Sequence, residues 1–173
     1  IMLVMTSIFP GFVWPGTETV ETGAFLEQVD EAFGYLPGLT VDDILGVEPN
    51  NEYYLAVSAA ANNDVLVDYE TIDVTASVTP EFVATVLVNA AGVPVGEVNT
   101  VIENATSIKN VAKVSAAVEN GIITLDVNNK LGLGAMSADE VTAAIEKAVS
   151  LRGTFTEEAE DLVLVDGVKT VSD

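Results

Sequence analysis

The sequence predicts an α+β fold: internally duplicated helix–helix–β-hairpin units forming a sheet covered by helices, with an extended apolar N-terminal arm. Three observations lead there. The chain matches itself at a spacing of 57 residues, amphipathic helical stripes recur at that spacing, and alternating apolar segments flank turn signals between them. Val57-Ser58-Ala59-Ala60 returns as Val114-Ser115-Ala116-Ala117, and ten of the 45 positions from 22 to 66 are identical to their partners. Composition alone would give roughly three or four. The expected organisation is therefore an arm over 1–21 and a single domain over 22–173, divided into repeats 22–78, 79–136 and a partial 137–173.

Each unit opens with a helix. Thr22 and Thr79 are the expected N-caps, and Pro80 suits the first helical position of the second unit. Phe25, Leu26, Val29, Ala32, Phe33 and Leu36 share one helical stripe; Phe82, Val83, Val86, Leu87 and Ala90 share another. Pro37 and Pro94, aided by Gly38 and Gly92, stop these helices. A short second helix is expected at "TVDDILG", with Thr40 and Asp43 as a capping box, and another near "GEVNTVIENA".

A hairpin follows in each unit. "VAKVSAAV" and "IITLDV" flank Glu119-Asn120-Gly121, and Asn-Gly is a strong hairpin signal. In the first unit the turn falls at 62–64, and Ile72, Val74, Ala76 and Val78 alternate with Asp73, Thr75 and Ser77 as in a half-buried strand. The third unit starts at Ser137, with Glu140 completing a capping box and Val141, Ala144, Ile145 and Ala148 as the buried stripe. Gly153 is the expected terminator. Beyond an acidic link (Glu157, Glu158, Glu160, Asp161), "LVLVDGVKTV" reads as a last hairpin turning at Asp166-Gly167.

Composition excludes more chemistry than it suggests. Twenty-seven acidic side chains face six basic ones, a formal net charge of −21. Such a surface repels nucleic acid and anionic membranes, so neither is an expected partner. High-salt adaptation or divalent-cation binding would each account for the acidity, and so would a merely acidic soluble protein. Cysteine and histidine are absent, which rules out disulfides, thiolate sites and the commonest general base near neutral pH. No Ser-x-x-Lys or Gly-x-Ser-x-Gly occurs, and "GLGAMSADE" lacks the lysine and spacing of a phosphate loop. Asp42 and Asp43 fit a helix start, the acids at 157–161 lack the spacing of a calcium loop, and Asn104-Ala105-Thr106 is a formal glycosylation acceptor. No residue is singled out as catalytic or cofactor-binding; a divalent cation stays open, without assigned ligands.

The opening "IMLVMTSIFPGFVWPG" is too short and too proline-broken to span a bilayer, and it lacks the charged start of a signal peptide. It reads as an apolar arm that joins a sheet, its own or a neighbour's, with Ile1, Leu3, Val4, Phe9, Phe12 and Trp14 as self-association contacts. These features point to a non-enzymatic structural subunit that self-assembles as a homo-oligomer. A virion capsid or tail component, or an extracellular filament or surface layer in a high-salt habitat, would fit. The alternative is a monomeric binding module that takes a small ligand or divalent cation in the groove between the first two units.

Overall fold

The structure is a computed structural model of the 173-residue chain, and it describes residues 17–171, with side chains described up to 154. Among the described residues there are five helices: α1 (Thr22–Phe33), α2 (Tyr54–Asn62), α3 (Pro80–Ala91), α4 (Val111–Glu119) and α5 (Ala138–Val171), with a 3-10 turn at Ala105–Ser107. Among the described residues the only β pairing is three isolated bridges, Thr19–Ser137, Glu21–Ser77 and Ile44–Val47. Among these residues the expected sheet is absent, and the fold is helical rather than α+β.

The hairpins fail for a physical reason that the sequence contained. Both Val-Ser-Ala-Ala segments are helical, in α2 and α4. Alanine is the strongest helix former, and runs this rich in it outweigh the valines. The turn signals are helix stops. Asn120 ends α4, Gly121 follows in the left-handed region (φ 74°), and the amides of Gly121 and Ile122 donate to the carbonyls of Val118 and Ala117. This is a Schellman motif. Fifty-seven residues earlier α2 ends in the same way, with Asp64 left-handed (φ 61°) and the amides of Asp64 and Val65 donating to Ala61 and Ala60. The side-chain amides of Asn63 and Asn120 donate to Ala59 and Ala116, each at 2.8 Å.

Other expected elements shift. Glu21, not Thr22, precedes the first helical residue, and the Thr22 hydroxyl instead donates to the Ala76 carbonyl at 2.8 Å. Gly34 (φ 71°) ends α1, which leaves Leu36 outside the helix and 74% exposed, while Ala32 also faces solvent. Neither short second helix forms. Thr40 accepts from the Asp42 amide in a local turn, and the later segment holds just the 3-10 turn. The 72–78 segment is a loop that buries Val74 and Val78 but leaves Ala76 exposed. Gly153 does not stop α5, whose backbone continues through 157–161 and 166–167 to Val171, so the last hairpin is absent too. The Thr79 cap, Pro80 in the first turn and the Ser137–Glu140 capping box stand as expected.

The hydrophobic core forms where α3 packs on α4 and α5, while α1 packs on α2 and α5. Val83 through Val88 are all buried, so α3 is covered on every side and is the central helix. The buried hydroxyl of Thr85 is satisfied by the Glu81 carbonyl at 2.8 Å. Residues preceding α1, α3 and α5 tie together: Val78 donates to Val20, Met136 to Val78, and Ala138 to Glu18.

A small helical domain overturns the expected sheet-built structural subunit of a virion or salt-adapted surface layer. Strand donation across a sheet edge has no edge to use among the described residues. The apolar contacts expected of residues 1–14 lie outside the described residues. No helix of the described residues is long and apolar enough to cross a membrane.

Candidate functional site

A cleft of ≈600 Å³ lies between the loop that follows α2 and the start of α4. Asp68, Tyr69, Glu70 and Thr71 form one wall; Glu81 and Phe82 of α3 form the floor; Lys109 and Asn110 form the opposite wall. The α2 stop positions the first wall, because the left-handed turn at Asp64 sends the chain back across α3.

A polar network fixes the two walls. Asp68 Oδ2 accepts from Lys113 Nζ at 2.6 Å and from Asn89 Nδ2 at 2.9 Å, while Oδ1 accepts from Asn110 Nδ2 at 2.8 Å. Lys113 Nζ also donates to Asn89 Oδ1 at 2.6 Å. Burial pushes the Asp68 carboxyl up, but the hydrogen bonds from Lys113, Asn89 and Asn110, with the lysine's charge, together hold it below the usual value. Glu81 Oε1 accepts from the backbone amides of Lys109 and Asn110 at 2.6 and 2.9 Å. One carboxylate thus pins the backbone of the far wall, and another gathers three side chains. Tyr69 and Phe82 rings lie 4.9 Å apart at the cleft, and burial pushes the Tyr69 phenol up to about 12.

The rim is different. Among the described residues neither the Lys109 ammonium nor the Glu70 carboxylate has a side-chain hydrogen-bond partner, and both line the cleft. The site therefore offers one donor group and one acceptor group across a braced floor. Sequence reasoning missed it. Asp68 and Lys113 are 45 positions apart, and the one available hint was the scarcity of basic residues, six in the whole chain.

The residues weighed in the sequence sit elsewhere. Asp42 and Asp43 are exposed in a turn, and the Tyr54 hydroxyl reaches the Asp42 carbonyl at 2.7 Å. The Asn104 side chain exchanges both its hydrogen bonds with the Leu131 backbone at 2.9 Å, so the formal acceptor amide is already engaged. Gly132 and Gly134 line a smaller groove beside α5 rather than cradling a phosphate-shaped turn. The acids at 157–161 lie where side chains are not described. Among the described residues no three His, Cys, Asp or Glu side chains come together to hold a metal ion.

A second titratable position lies where α1 ends against α5. Arg152 donates to the Phe33 carbonyl at 3.1 Å and lies over the Phe33 and Tyr35 rings, 5.5 and 5.8 Å from their centroids. Asp30 lies in the last turns of α1 with a buried Oδ1 that has no hydrogen-bond partner among the described residues. Burial, then the nearby Glu27 charge, pushes its carboxyl up to about 7.

No family model matches the chain, and no curated protein matches it.

Proposed function

We propose that this chain is a non-enzymatic binding module that takes a small polar ligand in the cleft between Asp68–Thr71 and Lys109–Asn110. The observation that carries this reading is the contrast inside that cleft. Its floor and walls are cross-linked by Asp68, Asn89, Asn110, Lys113 and Glu81, while Lys109 and Glu70 at the rim have no side-chain hydrogen-bond partner among the described residues. A braced pocket with a few unspent polar groups is the arrangement that binds with little reorganisation.

The charges select among ligands. With a net charge of −21, a free anion is repelled before it reaches Lys109. A neutral polyol or a zwitterion escapes that penalty, and a zwitterion can meet Lys109 with its carboxylate and Glu70 with its ammonium. The absence of histidine and cysteine from the chain removes the commonest catalytic groups, which favours binding over turnover.

Backbone NMR tests the reading. Titration with free amino acids and neutral monosaccharides at millimolar concentration should move the amides of Tyr69, Glu70, Lys109 and Asn110, and Lys109→Ala should abolish the response. A ligand held at 100 times its Kd should raise unfolding stability by about 2.7 kcal/mol. A panel that leaves those amides unmoved sinks the proposal.

A further inference from the structure

The loop that follows α1 is fastened to α2 through its backbone. The Tyr54 hydroxyl donates to the carbonyls of Thr40 and Asp42 at 3.3 and 2.7 Å. The Gly38 amide donates to Ser58 Oγ at 3.0 Å, and Asn62 Nδ2 donates to the Leu36 carbonyl at 3.5 Å. Tyr54, Ser58 and Asn62 follow one another at helical i, i+4 spacing, so they form one stripe along α2. The chain bends at Leu39, and Leu36, Leu39 and Val41 are left 74, 103 and 78% exposed. We propose that residues 36–43 are a preset docking loop for a partner protein whose surface carries an apolar stripe bordered by basic side chains.

The fastening separates this loop from ordinary exposure. A single surface leucine needs no explanation, whereas several together mark a contact surface. Here the bonds from α2 engage the backbone itself and fix the loop with its apolar groups outward. The ordering that docking would otherwise require is complete before a partner arrives. The second unit supplies the contrast. Val111 and Glu119 stand where Tyr54 and Asn62 do, 57 residues on, and the Ser115 hydroxyl, matching Ser58, donates to Glu119 Oε1 at 3.2 Å. Among the described residues no side chain of α4 holds the backbone of 93–100, so the fastened loop belongs to the first unit alone.

Charge identifies the occupant. Asp42 and Asp43 are exposed in the same loop, and no lysine or arginine occurs in the chain before Lys109. A second copy would bring one net charge of −21 against another, which opposes self-association. An anionic bilayer is opposed in the same way. A surface of apolar side chains flanked by lysine or arginine gains on both counts, because Leu39 is covered and the two aspartates acquire partners. A basic amphipathic helix is the simplest such surface.

A short amphipathic helical peptide of leucine and lysine is the probe, a peptide of leucine and glutamate its control, and amide NMR of the full chain the readout. The lysine peptide should move the amides of Leu36, Gly38, Leu39 and Val41, and the glutamate peptide should not. Leu39→Ser should weaken binding about tenfold, the factor expected from losing the burial of one leucine. Val101→Ser, at a valine 65% exposed in the second unit, should leave binding unchanged. Tyr54→Phe keeps the ring but removes the hydroxyl that holds Thr40 and Asp42, so it should weaken binding with Leu39 intact, and circular dichroism verifies the fold. An unmoved loop, shifts scattered over the acidic surface, or affinity indifferent to Leu39→Ser overturns the proposal, and full affinity in Tyr54→Phe overturns the presetting. An equal response of the loop to phosphatidylcholine vesicles also overturns it, by making the loop a membrane contact. Broadening of those amides that clears on dilution without peptide does so too, by assigning the loop to a second copy.

Discussion

The Val78 amide donates to the Val20 carbonyl at 2.8 Å, joining the segments that lead into α3 and α1. Fifty-eight residues on, the Met136 amide donates to the Val78 carbonyl at 2.9 Å, and the three helices that follow begin at Thr22, Pro80 and Ala138, again 58 apart. Val20, Val78 and Met136 are all buried. A backbone bond between buried residues opens only with the elements it joins. In native-state hydrogen exchange, the Val78 and Met136 amides should exchange near the rate set by global unfolding. The amides of Gly132 and Gly134, for which no backbone partner stands among the described residues, should exchange far faster. Loop-like rates at Val78 would show that the junction does not hold the helices together.

Two glycine substitutions should act in opposite directions. A Cβ at Gly23 would fall inside the Tyr53 ring, where α1 meets the start of α2. Gly23→Ala should therefore destabilise by about 1–3 kcal/mol, the usual cost of overpacking. Gly153 lies within α5 and a Cβ there meets nothing within 4 Å, so Gly153→Ala should stabilise by about 0.5–1 kcal/mol. Urea unfolding of both variants checks the pair, and a neutral Gly23→Ala would mean that Tyr53 swings away freely.

Stability should fall as pH rises through neutrality, because of Asp30. Its folded carboxyl titrates at about 7, above its ordinary value, so the folded state holds the proton where the unfolded chain has lost it. The favourable contribution is complete below the ordinary carboxylate range and is lost as pH climbs from there through about 7. Asp30→Asn keeps the shape and removes the titration. Its Tm should change less than that of wild type between pH 5 and pH 8, and it should be the more stable protein at pH 8. Parallel curves for the two proteins would rule out Asp30 as the source.

Local signals in the sequence were read more accurately than the class of structure. Thr79 with Pro80 and Ser137 with Glu140 are signals confined to four residues, and each has one geometric meaning that tertiary packing did not change. Asn120-Gly121 is different. A left-handed glycine serves a hairpin turn and a Schellman stop equally well, so the dipeptide alone could not separate strand from helix. The alanine content of 114–117 favoured helix, and the valines on either side concealed it. At the cleft nothing local existed to read. Asp68, Asn89, Asn110 and Lys113 come from three elements, and only the packing of α3 against α4 brings them together.

The Asp68–Lys113 pair should act as a real cross-link rather than a surface ornament. Its side chains are 21% and 19% exposed, the contact is 2.6 Å, and each partner has a further bond to Asn89. Exposed pairs contribute at most about 1 kcal/mol, whereas partly buried bonds to charged groups reach about 1.5–3. A double-mutant cycle of Asp68→Asn and Lys113→Met should therefore return a coupling of about 1–2 kcal/mol at pH 7. The sign with pH follows from the lowered Asp68 carboxyl. Its contribution is present above the ordinary carboxylate value and is lost as pH falls through the folded one. The same cycle at acid pH should thus approach zero. Zero coupling at pH 7 would show that the cleft walls are held by Glu81 and the amide bonds alone, and Lys113→Met would then leave the cleft intact.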